Sequence, residues 1–163
     1  MGRVVKSVRS WAALGAFMGL VTTAAPARAH HSLAMYDGTK VRVFTGVVTR
    51  ISPGGSHVQI LFAPLDEERQ AVIRDEKGEP VIWTLELTGA AQAAREGITV
   101  KSFAEGTIFS AALHPLRSGD PGGSREGPMY KCPENTPPEP GKHCDSVAGS
   151  TMHGQGTLPT PTD

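Results

Sequence analysis

The stretch Val41-Arg42-Val43-Phe44-Thr45-Gly46-Val47-Val48-Thr49-Arg50-Ile51 decides the predicted fold. It is rich in β-branched residues, and its valines and isoleucine at 41, 43, 47 and 51 all occupy odd positions, which predicts a strand with one buried face. Gly46 interrupts the middle of this strand. A glycine inside a strand indicates a bulge or a sharp bend, and such bends allow a sheet to curl into a small barrel.

Further elements follow along the chain. The predicted strands over 57–62 and 81–87 place every second apolar side chain on one face, whereas the predicted helix is built from strong helix formers and is stopped by Gly97. A loop rich in glycine and proline over residues 118–127 precedes the last strand. The predicted elements are strands over 57–62 and 81–87, a helix over 90–96, a strand over 107–113 and a strand that starts at Met129-Tyr130.

The element order predicts a single domain over residues 30–131. Three strands, a helix and two strands form the OB-fold, a small, partly open Greek-key barrel. The predicted fold is therefore mainly β: a small five-stranded OB-like barrel with one short helix between strands 3 and 4. An immunoglobulin-like sandwich is the alternative, but it needs about seven strands and no helix here. We expect Phe62 and Trp83 to fill the barrel, and Glu86 to be an exposed polar residue at its rim.

Residues 1–29 have the three-part layout of a secretory signal peptide. Three positive charges precede an apolar run over 11–21, and small residues lead up to Ala29. The apolar run is about half of the ~20 residues that span a bilayer, although a retained membrane anchor is the alternative. We expect cleavage after Ala29, so that the mature protein begins at His30, is periplasmic or secreted, and has no membrane span.

The charge balance limits the partners of the mature protein. The chain has 163 residues with 16 basic and 16 acidic side chains, and four of the basic ones lie within residues 1–29, which contain no acid. The mature part therefore carries 12 − 16 = −4 charges. A mildly acidic protein has no general attraction to nucleic acid or anionic lipid. The expected partner is a small ligand or another periplasmic protein, and no nucleic acid.

Two cysteines, Cys132 and Cys144, flank a proline-rich segment. In an oxidising compartment an even pair this close in sequence predicts a disulfide, here stapling a loop over residues 132–148. A metal site that uses both cysteines and His143 is the alternative, but it needs further ligands. Residues 149–163 hold almost no large apolar side chain, so we expect a disordered tail.

Several short motifs together resemble a known family. Over about residues 29–123 the chain resembles small exported bacterial proteins of unknown function that open with His-His-Ser, and the resemblance implies an OB-like barrel but no activity. Members commonly show Asn-Pro-His where this chain has Gly55-Ser56-His57. The motifs are His30-His31-Ser32, Tyr36-Asp37, Gly46-Val47-Val48, His57, Trp83 with Glu86, His114-Pro115 and Gly119.

The histidines suggest a copper site. Cleavage before His30 exposes an α-amine next to an imidazole, and one more imidazole completes a planar three-nitrogen set similar to the copper-binding histidine brace. Cleavage after Ala27 instead places His30 third, which also suits Cu(II) or Ni(II). The candidate metal ligands are His30, His31, His57 and His114. Alternatively, these histidines are solvated or simply pack against neighbours.

No catalytic residues are predicted, because the sequence contains no nucleophile elbow, no phosphate-binding loop and no His-Glu-x-x-His motif. The expected function is that of a small exported binding module that either carries copper at its mature N-terminus or recognises a small ligand or partner on the barrel surface. The alternative is an OB-like module that binds an oligosaccharide or a protein without a metal. An OB module for nucleic acid is disfavoured by the negative charge and the few aromatic residues.

Overall fold

The computed structural model describes residues 1–2, 33–54 and 56–162. The predicted signal peptide beyond its first two residues, together with His30 and His31, lies outside the described residues. The first described element is a short 3-10 turn at Leu33–Met35, and two more follow at Pro133–Asn135 and Cys144–Ser146. The other elements are β1 (Arg42–Ser52), β2 (Gln59–Pro64), β3 (Trp83–Glu86), α1 (Ala90–Arg95), β4 (Ile108–Pro115), β5 (Gly122–Lys131) and β6 (Thr151–His153).

Five of the strands form a closed barrel. Antiparallel pairs join β1 to β2, β2 to β3, β1 to β4 and β4 to β5. The parallel pairing of β3 with β5, in which Thr84 lies opposite Gly122, closes the ring. The mainly β, five-stranded OB-like barrel with one short helix between strands 3 and 4 is therefore confirmed.

The barrel interior is filled by aromatic and aliphatic side chains. Phe62, Phe103 and Phe109 are buried and meet edge to face, with ring centroids 5.4 to 5.9 Å apart. Helix α1 contributes the fully buried Ala93 to the same core. Such aromatic edge contacts add to the stabilisation from burial alone, so the strands form a rigid frame for the side chains on the outside.

Strand β1 buries the opposite face from the predicted one. Gly46 and Val48, at even positions, are buried. A Cβ on Gly46 would lie only 2.6 Å from Phe62 Cδ2, so β1 approaches this ring closely because residue 46 has no side chain. The pairing with β2 shifts register between Val48 and Arg50, and this bulge changes the phase of the strand. The glycine thus permits close packing, and the bulge lies three residues further on.

Strand β5 begins at Gly122, seven residues earlier than the sequence predicted. The glycines were interpreted as a turn, but a Cβ on Gly123 would lie 2.6 Å from Leu113 Cδ1 on the neighbouring β4. The absence of a side chain therefore lets the two strands approach each other. Without these residues β5 would not reach β3, and the barrel would stay open.

The disulfide between Cys132 and Cys144 is confirmed, with Cα atoms 5.0 Å apart. Both cysteines are buried, and they belong to a second apolar cluster with Leu65 and Ile108, against which Val47 packs. The cysteine segment, residues 132–148, thereby packs against apolar side chains on the outside of the barrel. This explains why Val47, at an odd position of β1, is apolar although it does not face the interior.

The C-terminal residues are more ordered than predicted. Residues 151–153 form β6, in which His153 lies opposite Met129 of β5, and Thr162 pairs with Val41. The expectation of a disordered tail is therefore wrong for these residues. Backbone pairing leaves no signal in composition, and the buried ring of His153 packs on Phe103 with centroids 4.9 Å apart.

Candidate functional site

Three polar side chains meet at one edge of the barrel. His57 lies two residues before the first residue of β2, and Glu86 ends β3. Antiparallel pairing of these strands sets Gln59 opposite Glu86, which brings the two ends together. Tyr36 follows the first 3-10 turn, and a backbone bridge to Leu116 anchors it. We call Tyr36, His57 and Glu86 the edge triad.

Glu86, at the centre of the edge triad, forms hydrogen bonds with both other members. Its Oε1 lies 2.6 Å from His57 Nδ1, and its Oε2 accepts a hydrogen bond of 2.8 Å from the Tyr36 hydroxyl. Only 19% of the Glu86 side chain is exposed, so the expectation of an exposed glutamate was wrong. A hydrogen-bond partner for each carboxylate oxygen offsets the free-energy cost of removing the group from water.

The geometry fixes the chemical state of His57. An ionised carboxylate only accepts hydrogen bonds, so Nδ1 of the ring must carry the proton. In the neutral ring the other nitrogen, Nε2, then keeps its lone pair, and none of the described residues hydrogen-bonds to it. The side chain is 39% exposed, so this lone pair is accessible from outside. His57 is therefore presented as a ligand for a metal ion or as an acceptor for a proton.

Tyr36 serves as a neutral hydrogen-bond donor. Burial raises the pKa of its hydroxyl well above the ordinary value, and the hydrogen bond to Glu86 and the negative charge of that residue raise it further. The phenol therefore stays protonated and holds Oε2 in place across the physiological range.

His114 differs from His57 because both of its ring nitrogens are used. Nδ1 lies 2.8 Å from the Lys40 carbonyl oxygen, and Nε2 lies 3.1 Å from Glu126 Oε2. Both partners are acceptors, so each ring nitrogen of His114 faces a protein oxygen in the position that a metal would take. Ser124 pairs with Glu86 on one side and His114 on the other, which places two strand spacings, about 10 Å, between their backbones.

The structure therefore does not unite the predicted ligands. His57 is available and His114 is occupied, whereas His30 and His31 lie outside the described residues. Within residues 33–54 and 56–162, no three His, Cys, Asp or Glu side chains form a group that could hold a metal. A complete site needs donors from elsewhere in the chain.

Another histidine belongs to the cysteine segment. His143 Nδ1 lies 2.9 Å from the hydroxyl of the buried Thr45, which lies 2.7 Å from the Ser110 hydroxyl. The Cys144 amide donates to that serine at 2.8 Å. Burial lowers the pKa of His143, and Arg69 lowers it further while Asp145 opposes the shift. This network joins the segment to the barrel and gives it a structural role.

The fold and the edge triad define an OB-like barrel with a carboxylate-oriented histidine on its outside. The chain belongs to the family of unknown function DUF6152, whose model matches residues 16–125. The matched range contains the edge triad and excludes the cysteine segment and β6. No significant match was found among the curated proteins or the solved structures. The described part of the chain has no helix of the length and apolarity needed to cross a membrane.

Proposed function

We propose that the protein is an exported periplasmic binding module that carries Cu(II) on His57 and on the N-terminal His30 of the processed chain. The α-amine and the imidazole of His30 would supply two nitrogens, and His57 Nε2 would supply the third. Nitrogen-rich tetragonal sets favour Cu(II). The observation that carries the proposal is the 2.6 Å contact of His57 Nδ1 with Glu86, together with the lack of a hydrogen-bond partner for Nε2 among the described residues.

Glu86 would act on the metal through His57. Metal-binding histidines generally donate their second ring nitrogen to a carboxylate, which fixes the tautomer and raises the basicity of the ligand. Tyr36 in turn holds the glutamate by a hydrogen bond of 2.8 Å. The edge triad thus has the arrangement that a histidine ligand requires on the side away from the metal.

The chain length between the triad and the predicted N-terminus supports the same site. The 3-10 turn at Leu33–Met35 directly precedes Tyr36, so the tether is the link from His30 to Leu33, three residues that extend to at most about 10 Å. The Tyr36 hydroxyl shares Glu86 with His57, so a short tether that ends at Tyr36 favours His30 as the partner of His57.

The test uses protein that is expressed with its own leader, purified from the periplasm and checked by mass for a start at His30. We expect one Cu(II) per chain with nitrogen hyperfine structure in the electron paramagnetic resonance spectrum. His30→Ala and His57→Gln should each weaken binding more than about 100-fold, beyond the 10–100-fold typical of a residue that only orients a ligand.

The matched control is His114→Gln, which alters a histidine whose two nitrogens are already engaged. We expect its copper affinity to equal that of the unsubstituted protein. Unchanged affinity in both His30→Ala and His57→Gln, with the fold intact by circular dichroism, would reject the proposal. A leader that stays attached would reject it as well.

A metal-free binding module is the second candidate function. A cavity of about 210 Å³ at the end of the barrel, lined by Trp83 and several charged side chains, favours it. Ligand sites commonly lie in the mouths of β-barrels.

A further inference from the structure

The cavity lies where β1, β3 and β5 begin and β4 ends, at the opposite end of β3 from Glu86. We call it the mouth cavity. Its volume of about 210 Å³ equals the liquid volume of about seven waters, which is room for one ring-sized molecule. The lining side chains that bear on its chemistry are Asp37, Lys40, Arg42, Trp83, Arg117 and Asp120.

Trp83 lies between the core and the cavity. Its ring centroid is 4.5 Å from that of Phe44, which packs against the core, and the Arg42 guanidinium lies 5.7 Å from the indole centroid. The indole is only half-buried, although the sequence predicted a core residue. Its contact with the ring orients the guanidinium at the cavity, where it is less free to move than an isolated surface arginine.

The cations of the mouth cavity exceed its available anions. Among the described residues, no carboxylate lies within 4 Å of the charged groups of Lys40 or Arg42, whereas Arg117 is 3.7 Å from Asp37. Asp37 also accepts a hydrogen bond of 2.7 Å from the Thr39 hydroxyl. The lining side chains therefore carry 3 − 2 = +1 charge, and Lys40 and Arg42 are the cations that lack a carboxylate partner among the described residues.

The two acidic residues add a second kind of contact. Asp120 accepts a hydrogen bond of 2.8 Å from Ser118, and each carboxylate retains acceptor positions because two oxygens offer about four lone-pair sites. Acceptors next to unpaired cations suit a molecule that has both hydroxyl groups and a negative charge. An inorganic anion alone would meet repulsion from both aspartates.

We propose that the mouth cavity binds a sugar acid, a small hydroxylated ring with one carboxylate. Its carboxylate would pair with the planar fork of Arg42 and with Lys40, since guanidinium groups match carboxylates in geometry. Its hydroxyl groups would donate to Asp37 and Asp120, and its apolar edge would rest on the exposed part of Trp83. This inference rests on the second candidate function and needs neither copper nor His57.

The experiment follows the fluorescence of Trp83 in the full chain. The chain has two tryptophans, so Trp11→Phe leaves Trp83 as the single reporter. Glucuronate is the probe, glucose is the neutral analogue and glucose 6-phosphate is an anion of the other class. All titrations contain a chelator, so a failure of the copper proposal does not affect the outcome.

We expect saturable quenching by glucuronate, with at least tenfold weaker binding of glucose and of glucose 6-phosphate. Arg42→Gln should weaken glucuronate binding about tenfold, and Lys40→Gln should do so to a smaller extent. The control is Arg50→Gln, an exposed arginine of the same strand outside the cavity.

Three results with glucuronate or glucose would overturn the proposal. They are the absence of saturable binding of glucuronate, equal binding of glucose, and unchanged binding in Arg42→Gln when its unfolding temperature matches that of the parent. Preferential binding of glucose 6-phosphate would replace the carboxylate with a phosphate and would also contradict the assignment.

Discussion

The barrel carries two pairs of histidine and glutamate, and they differ in what they leave free. His57 Nδ1 lies 2.6 Å from Glu86 Oε1, and the Glu86 side chain is 19% exposed. His114 Nε2 lies 3.1 Å from Glu126 Oε2, and the Glu126 side chain is 45% exposed. The first histidine has one nitrogen to offer, and the second has none. A histidine beside a carboxylate is therefore a candidate ligand only where its other nitrogen has no partner.

Among the substitutions that compare the two pairs, the largest effect is expected from removing the charge of Glu86. Glu86→Gln keeps the size of the side chain, but it lowers the basicity of His57, so copper affinity should fall about 10- to 100-fold. Glu126→Gln should leave the affinity within about twofold, since its histidine is not proposed to bind copper. The measurement is a competitive Cu(II) titration of the processed protein.

A second measurement separates positioning from mere stabilisation. The ¹⁵N chemical shifts of the His57 ring report which nitrogen carries the proton, and Glu86→Gln should reduce the population of the Nδ1–H tautomer. Equal losses of affinity in Glu86→Gln and Glu126→Gln would contradict the distinction between the pairs.

The sequence predicts the frame of the barrel better than its site. The spacing of apolar residues identified β1, β2 and β3, and helix formers before Gly97 identified α1, because these signals are local. The start of β5 was missed because Gly123 is required by Leu113 on another strand. A contact between distant residues leaves no local pattern.

The edge triad was missed for a similar reason. Tyr36, His57 and Glu86 were each singled out, but no pattern in the sequence indicated that the glutamate forms hydrogen bonds with both other residues. Their meeting depends on the register in which Gln59 lies opposite Glu86. A signal did exist, because an antiparallel hairpin of β2 and β3 necessarily brings the start of one strand next to the end of the other.

The next effect concerns the third member of the edge triad, which His114–Glu126 lacks. Tyr36→Phe removes the donor to Glu86 Oε2, and the free energy of unfolding should fall by about 1–2 kcal/mol, as expected for a partly buried hydrogen bond to a charged group. Urea unfolding measures the difference. Tyr130→Phe is the matched control, because that hydroxyl makes only an exposed 3.4 Å contact with Met152. If Tyr36→Phe lowers the free energy of unfolding no more than Tyr130→Phe does, the hydrogen bond from Tyr36 to Glu86 stabilises the fold no more than an exposed contact.

His143 extends the comparison to a histidine that has a hydroxyl partner and no carboxylate. Its pKa in the folded protein lies below the ordinary value, so the unfolded chain binds the proton more readily. The stability from the neutral ring is complete above the ordinary histidine pKa and is lost as the pH falls through the folded pKa. We expect the unfolding temperature to drop between pH 7.5 and 5.5, and His143→Gln to reduce that drop. An unchanged pH dependence in the variant would assign the effect to other groups.

The smallest effect should come from the exposed pair. Glu126→Gln should change the free energy of unfolding by about 0.2–1 kcal/mol, because water solvates the freed His114 nitrogen and screens the pair. The change should shrink further in high salt, whereas the loss in Tyr36→Phe should persist because that hydrogen bond is less exposed. Urea unfolding at low and high salt measures both. A salt-independent loss in Glu126→Gln that equals the one in Tyr36→Phe would mean that the two glutamates hold their partners equally firmly, and the distinction would then rest only on the free nitrogen of His57.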